Sequence, residues 1–278
     1  MNVFYTRQTL TIAIESEKSA NKSIGFVPTM GALHEGHLAL VKKALTQVDI
    51  VVVSIFVNPT QFNNAKDLEK YPRMLKNDVS FLEKVGNVLI FAPDFDEVYP
   101  VNDEFDPIEL NGIDEILEGK YRPGHFQGVM HVVRNLFQIV QPNKAYFGLK
   151  DFQQVAIIKK MVNILNLPIE IIECPTLRET SGIAMSSRNL RLSNTQKFDA
   201  LIIIQTLNFL KELKQKFNPT EAKKLAIEFF NKGNLKLEYL EIVESTTLKA
   251  IDDYWTNDST CCIAAICGDV RLIDNNQL

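Results

Sequence analysis

Residues 50–57, IVVVSIFV, constrain the fold more than any other segment, being a near-continuous β-branched run broken by a single serine. A strand with one wet face alternates polar and apolar residues, so this run belongs inside a sheet covered on both faces. Around it, strand-like segments at 23–27, 87–91, 145–147 and 169–173 alternate with helical periodicity at 36–47, 73–85, 126–140 and 151–165. In the first of these helices Leu38, Val41 and Leu45 share one face. Repeated βαβ units with right-handed crossovers predict an α/β fold with a Rossmann-like, largely parallel, doubly wound sheet. Ligands in that architecture sit beyond the carboxyl ends of the strands.

The pattern changes after Met185. Helices are expected at 193–217 and 220–231, capped by Ser193 and Thr220, followed by strands at 237–243, 261–266 and 270–273. This order predicts a smaller α+β C-terminal domain over 186–278, a candidate lid, after a Rossmann-like domain over 1–185 that binds the ligands.

Composition narrows the class. Hydrophobic residues make up 46% and charged residues 23% of the chain, as in globular proteins that fold unaided. No apolar run approaches the ~18 residues of a membrane span. The start, MNVFYTRQTL, has neither a basic nor an apolar leader segment. A cytoplasmic location without a membrane partner is therefore expected. The net charge of −4 argues against a nucleic-acid partner. Residues 94–118 hold ten acids and no Lys or Arg, and such a block is expected to be a solvated acidic edge. Cys174, Cys261, Cys262 and Cys267 show no C-x-x-C spacing and read as buried thiols, neither zinc ligands nor disulfides. No protein-held metal site is expected.

Neither a G-x-x-x-x-G-K-[ST] loop nor a G-x-G-x-x-G turn is present. Another element must hold phosphates if the chain binds them. PTMGALHEGH, residues 28–37, follows a strand and enters a helix, whose free N–H groups and positive dipole end favour anions. His34 and His37 lie three apart on one face of its first turn, and Gly36 between them leaves room for a flat ring. A metal pair or two surface histidines would produce the same spacing. Asn58 and Gln61 follow the buried strand, and Arg122 and His125 occupy a Pro-Gly turn. Lys150, Asp151 and Gln154 open a later helix, and Ser186, Ser187 and Arg188 in MSSRN are donors suited to phosphate oxygens. Each cluster alone is also ordinary loop chemistry; their shared sheet edge is what points to function.

HEGH and MSSRN resemble the H-x-G-H and KMSKS-like elements of the nucleotidyltransferase and class I synthetase superfamily. PTMGALHEGHLAL, FVNPTQF, DLEKYPR, YRPGHFQGVMHVV, FGLKDFQQ, TLRETSGIAMSSRN, YLEIVESTTLKAID and GDVRLIDN are together similar to the pantothenate synthetase (pantoate–β-alanine ligase) family, along essentially the whole chain. The resemblance implies an ATP-dependent ligase that condenses pantoate with β-alanine, releasing AMP and pyrophosphate through a pantoyl adenylate. It also implies a homodimer, with Mg²⁺ held mostly by ATP and water.

By the same resemblance, Met30, Gly31, Ala32, Leu33, His34, Glu35, Gly36 and His37 form an ATP-binding loop. Both histidines would lie on the triphosphate, with His37 as the assigned proton donor. Gly148, Leu149, Lys150 and Asp151 form a nucleotide-contacting turn, with Lys150 near the reacting phosphate and Asp151 near the ribose. Leu177, Met185, Ser186, Ser187 and Arg188 complete the nucleotide site, and Gln61 and Gln154 hold the pantoate. The catalytic set is then His34, His37, Lys150, Ser186, Ser187 and Arg188. Leu149 stands where the family often has Glu, and Ser181 where it usually has Asp. Glu118, Arg122 and His125 belong to the rim or merely hold their turn. Two other readings compete: a transferase acting on a phosphorylated acceptor, and a nucleotide-sensing protein without catalysis. The glutamine pair disfavours the first, and the intact histidines, Lys150 and MSSR disfavour the second.

Overall fold

Val51, Val52 and Val53 are fully buried on alternate faces of strand β3 (Ile50–Ile55), so this strand is covered on both sides as its composition requires. The computed structural model describes residues 2–101 and 103–278; Met1 and Asn102 lie outside the described residues. Together with β1 (Asn2–Phe4), β2 (Ile24–Thr29), β4 (Leu89–Phe91), β5 (Lys144–Gly148) and β6 (Glu170–Cys174), β3 forms a six-stranded sheet of order β1-β4-β3-β2-β5-β6. Every pairing is parallel.

Two apolar clusters cover the two faces. Phe26 and Val52 face helices Arg7–Ser19, His125–Val140 and Phe152–Ile164. Val27, Val51 and Val53 face helices Glu35–Leu45 and Leu75–Glu83. Each fully buried Val, Leu or Ile contributes roughly 1.5–3 kcal/mol. The first strand and helix are not legible in the sequence. The strand is a three-residue edge. The helix buries only Leu10 and Ile14 and leaves Ile12 exposed, which blurs its apolar stripe.

The chain divides into two compact units: Met1–Leu149 with Gln154–Pro175, and Lys150–Gln153 with Thr176–Leu278. The second unit therefore starts upstream of the expected division after Met185. Arg178 explains the difference, since its guanidinium pairs with Asp274 at 2.6 Å and its backbone bridges to Ala184. This unit packs helices Leu201–Leu213 and Pro219–Phe230 on an antiparallel sheet, β7 (Lys236–Glu244), β8 (Ser259–Cys267) and β9 (Val270–Gln277).

Two helix expectations need correction. The helix expected over 193–217 is two helices, Asn194–Asp199 and Leu201–Leu213, meeting at Ala200. The bond from Ile203 N–H to Ala200 C=O spans three residues, a tighter turn that interrupts the regular ladder. Ser193 caps the first of them with Gln196 completing a capping box. The later helix starts at Pro219 and is capped by Asn218, not Thr220. Proline at the first helical position needs no N–H partner, which places the cap one residue before it.

The acidic block is only partly a solvated edge. Glu97 accepts from the Arg7 N–H at 2.6 Å, and Glu118 is 7% exposed. Asp103 accepts from Arg134 at 2.6 Å and from Asn135 at 2.5 Å, and pairs with His131 at 2.5 Å. Helix His125–Val140 thus carries the donors that draw this loop inward. All four cysteines are buried thiols, and none forms a disulfide among the described residues. Among the described residues, no helix is long and apolar enough to cross a membrane.

Partial burial pushes the Asp103 carboxyl up, but the Asn135 and His131 hydrogen bonds and the charges of His131 and Arg134 outweigh it. The net direction is below the ordinary carboxylate value. Stability from this group is therefore present above the unfolded value of about 3.9 and lost as pH falls through the folded one. Asp103→Asn is expected to lose about 1–2 kcal/mol near neutral pH. Its stability should also change less than the parent's on acidification, as measured by urea unfolding from neutral to acid pH.

Candidate active site

The connection after β2 turns sharply. Gly31 (φ +78°) and Ala32 (φ +49°) both lie in the left-handed region, which glycine adopts freely and alanine does not. A buried carboxylate holds this shape. Asp78, on helix Leu75–Glu83 and 2% exposed, accepts the N–H of Ala32 at 3.0 Å and of Leu33 at 2.7 Å. Burial pushes its pKa up, only partly opposed by those two hydrogen bonds. A Cβ on Gly31 would come within 3.0 Å of Asp78 Oδ2.

The turn delivers the chain to helix Glu35–Leu45, where the two histidines form a reciprocal cap. His34 Nδ1 accepts the Gly36 N–H at 3.2 Å, and His37 Nδ1 accepts the His34 N–H at 3.3 Å. The ring centroids are 4.1 Å apart. A nitrogen that accepts carries no proton, so this geometry puts the proton of each neutral ring on Nε2. Both rings then offer an Nε2–H donor beside the helix start, and neither Nδ1 is a metal ligand in this arrangement. Both side chains are half-buried, whereas Gly31, Ala32 and Leu33 are buried and Glu35 is exposed.

Strand β3 lies beside β2, so its carboxyl end opens at the same edge. There Asn58 starts the short turn Pro59–Gln61. Asn58 is 1% exposed, with both ends of its amide engaged. Its Oδ1 accepts from Thr60 N–H at 3.2 Å, while its Nδ2 donates to Gln61 Oε1 at 3.0 Å and Gly128 C=O at 3.3 Å. Gln61 in turn directs Nε2 to Met30 Sδ at 3.2 Å, linking this turn to the loop after β2. His125 and Arg122 both reach the Gln61 carbonyl, at 2.9 and 3.3 Å, and Glu118 lies 3.8 Å from Arg122. These three therefore brace the Gln61 turn. Gly128 is required here, because a Cβ would fall 2.6 Å from Thr60 O.

β5 also neighbours β2 and ends at Gly148, followed by a tight turn, Leu149–Asp151, before the helix that carries Gln154. Gln154 is half-buried. In the C-terminal unit a shallow cleft is lined by Lys150, Ser186, Arg188, Asn189, Arg271 and Asp274, among others. Arg178 neutralises Asp274, and Glu238 holds Arg271 at 2.5 Å. Lys150 meets Asp151 only at 3.4 Å. Ser186 Oγ accepts the Arg188 N–H at 3.3 Å, and Ser187 is buried. Leu177 is exposed and joined to Met185 through its carbonyl at 2.9 Å.

Within the first unit the structure joins His34 to His37 and Met30 to Gln61, and within the second Lys150, Ser186 and Arg188 line one cleft. Two residues behind these groups, Asp78 and Tyr99, escape sequence reasoning. Asp78 had a usable signal: it sits four before Leu82 on the buried face of its helix, where a carboxylate must be paired.

A family model described as pantoate-beta-alanine ligase matches residues 2–277. A pantothenate synthetase of Porphyromonas gingivalis is 44% identical over 99% of this chain and 98% of its own length. That of Cytophaga hutchinsonii is 47% identical over 96% of each. The crystal structure of pantothenate synthetase from Thermus thermophilus superposes with a TM-score of 0.93 at 39% identity, covering 100% of this chain and 99% of that one. A pantoate-beta-alanine ligase from Francisella tularensis, complexed with beta-gamma ATP and beta-alanine, aligns with a TM-score of 0.78 at 37% identity, covering 100% and 97%.

Asp78→Ala strands two buried N–H groups and is expected to lower unfolding free energy by about 2–4 kcal/mol. Asp78→Asn, which keeps one acceptor, should fall between it and the parent in urea unfolding.

Proposed function

The chain belongs to the pantoate-beta-alanine ligase family, and on that premise we propose how its residues serve the ATP-dependent joining of pantoate to β-alanine, which yields pantothenate, AMP and pyrophosphate. The observation that carries the proposal is the paired-histidine cap at the start of the helix that follows β2, in which each Nδ1 accepts a backbone N–H and the ring proton falls to Nε2.

The first step brings two anions together. A pantoate carboxylate oxygen attacks the α-phosphorus of ATP, the bond to the bridging oxygen breaks, and pyrophosphate leaves with that electron pair. In the second, the neutral amine of β-alanine attacks the acyl carbon of the pantoyl adenylate; AMP departs and the amine's extra proton is released. Neither step needs an enzyme nucleophile, so positioning and charge neutralisation carry the catalysis.

His34 and His37 donate Nε2–H to the triphosphate, in the loop Met30–His37. His37 acts as a hydrogen-bond donor and not as an acid, because an imidazolium would have to give up the bond its Nδ1 accepts from His34. Lys150 and Arg188 supply positive charge, and Ser186 and Ser187 supply hydroxyl donors to phosphate oxygens. Asp151 takes the ribose, while Gly148, Leu149, Leu177 and Met185 flank the nucleotide. Gln61 and Gln154 hold pantoate through amides, which bind hydroxyl and carboxylate groups without adding charge. Among the described residues no three His, Cys, Asp or Glu side chains cluster as a metal cage. The family resemblance implies Mg²⁺ held mostly by ATP and water, where it would neutralise phosphate charge. Family membership further supports a homodimer in the cytoplasm.

The test is pyrophosphate release from ATP, with and without pantoate and β-alanine. Release is expected to require pantoate and not β-alanine in a single turnover. His37→Ala should slow it about 100-fold or more while unfolding within roughly 2 kcal/mol of the parent. Release that requires a phosphorylated acceptor, or that is unchanged in His37→Ala, would overturn the proposal.

A further inference from the structure

Resting on the reading of Gln61 as a pantoate ligand, we propose that Tyr99 is a positioning residue for pantoate, holding the Asn58 amide that decides which end of Gln61 faces the substrate.

The hydrogen bonds around Asn58 leave one orientation. Its Oδ1 must be the oxygen, because it accepts a backbone N–H from Thr60 at 3.2 Å. Its Nδ2 must be the nitrogen, because it donates to the Gly128 carbonyl at 3.3 Å. Gln61 is therefore held with Oε1 toward Asn58 and Nε2 turned away. It meets the substrate as a donor and selects an oxygen acceptor there.

Tyr99 fastens this arrangement from behind. Its hydroxyl donates to Asn58 Oδ1 at 2.8 Å, shorter than either Thr60 contact to that oxygen. Burial pushes the phenol up to about 12, so it remains a donor throughout the working pH range. The ring is 8% exposed and packed between aromatic neighbours. It stacks on Phe95 at 4.7 Å and meets the His131 ring edge-on at 4.8 Å. His131 is itself tied to Asp103. The inward-turned part of the acidic block thereby fixes a side chain two hydrogen bonds removed from Gln61.

The test compares Tyr99→Phe, Thr60→Val and Gln61→Ala by steady-state kinetics in each substrate, with thermal unfolding alongside. Tyr99→Phe keeps the ring and loses only the hydroxyl, so the pantoate KM should rise about five- to tenfold, the worth of one buried hydrogen bond. The KM values for ATP and β-alanine should stay within about twofold. Thr60→Val, at an exposed position, removes a second donor to the same oxygen and should shift pantoate KM in the same direction. It decides the matter if Tyr99→Phe does not fold. A pantoate KM unchanged in both variants while Gln61→Ala loses pantoate overturns the role of Tyr99 alone. Equal rises in all three KM values overturn it in favour of a structural role. Unchanged pantoate KM in Gln61→Ala overturns the reading of Gln61 and this inference with it.

Discussion

Everything at the sheet edge depends on how the N–H groups after β2 are satisfied. A loop that turns through two left-handed residues exposes donors that cannot be left bare in the interior. Asp78 takes those of Ala32 and Leu33 from inside, and the two histidine rings take those of His34 and Gly36. The division of labour is chemical. A carboxylate facing phosphate would repel it, and here the carboxylate is buried beneath the loop while the histidine rings are only half-buried. Because each ring spends Nδ1 on the backbone, each is left with a donor on the other nitrogen.

The same device recurs one strand over. Asn58 is spent entirely on protein partners, and by being spent it orients Gln61. In both places a buried polar group fixes the orientation of a neighbour proposed to meet the ligand. Replacing the hidden member leaves a buried group unpaired, so its cost falls on stability and on binding together.

Charge follows the same logic. The net −4 and the acid-rich 94–118 stretch describe a chain whose substrates are themselves anions. The structure resolves the tension by pairing: Asp103 with His131 and Arg134, Asp274 with Arg178, Glu238 with Arg271. Lys150 meets Asp151 at a longer 3.4 Å. Neutralised acids thus brace the framework, while cationic and neutral donors line the surfaces assigned to phosphate.

The sequence by itself determined the parallel sheet, because an unbroken β-branched run such as residues 50–57 is stable only between two covered faces. It also determined the family, because PTMGALHEGH, FVNPTQF and MSSRN stand in order along nearly the whole chain. Helix ends were legible where a cap acts within three residues, as at Ser193, and misread where Pro219 moved the start to Asn218. The short edge strand β1 was not legible, since its pairing with β4 lies far along the chain. Only the tertiary structure decided that Asn58 is buried, that Asp78 and Tyr99 serve the loops in front of them, and which imidazole nitrogen donates. These depend on contacts between residues dozens of positions apart, such as Asp78 with Ala32 and Tyr99 with Asn58. Local periodicity reports which face of an element is covered, but not which partner covers it.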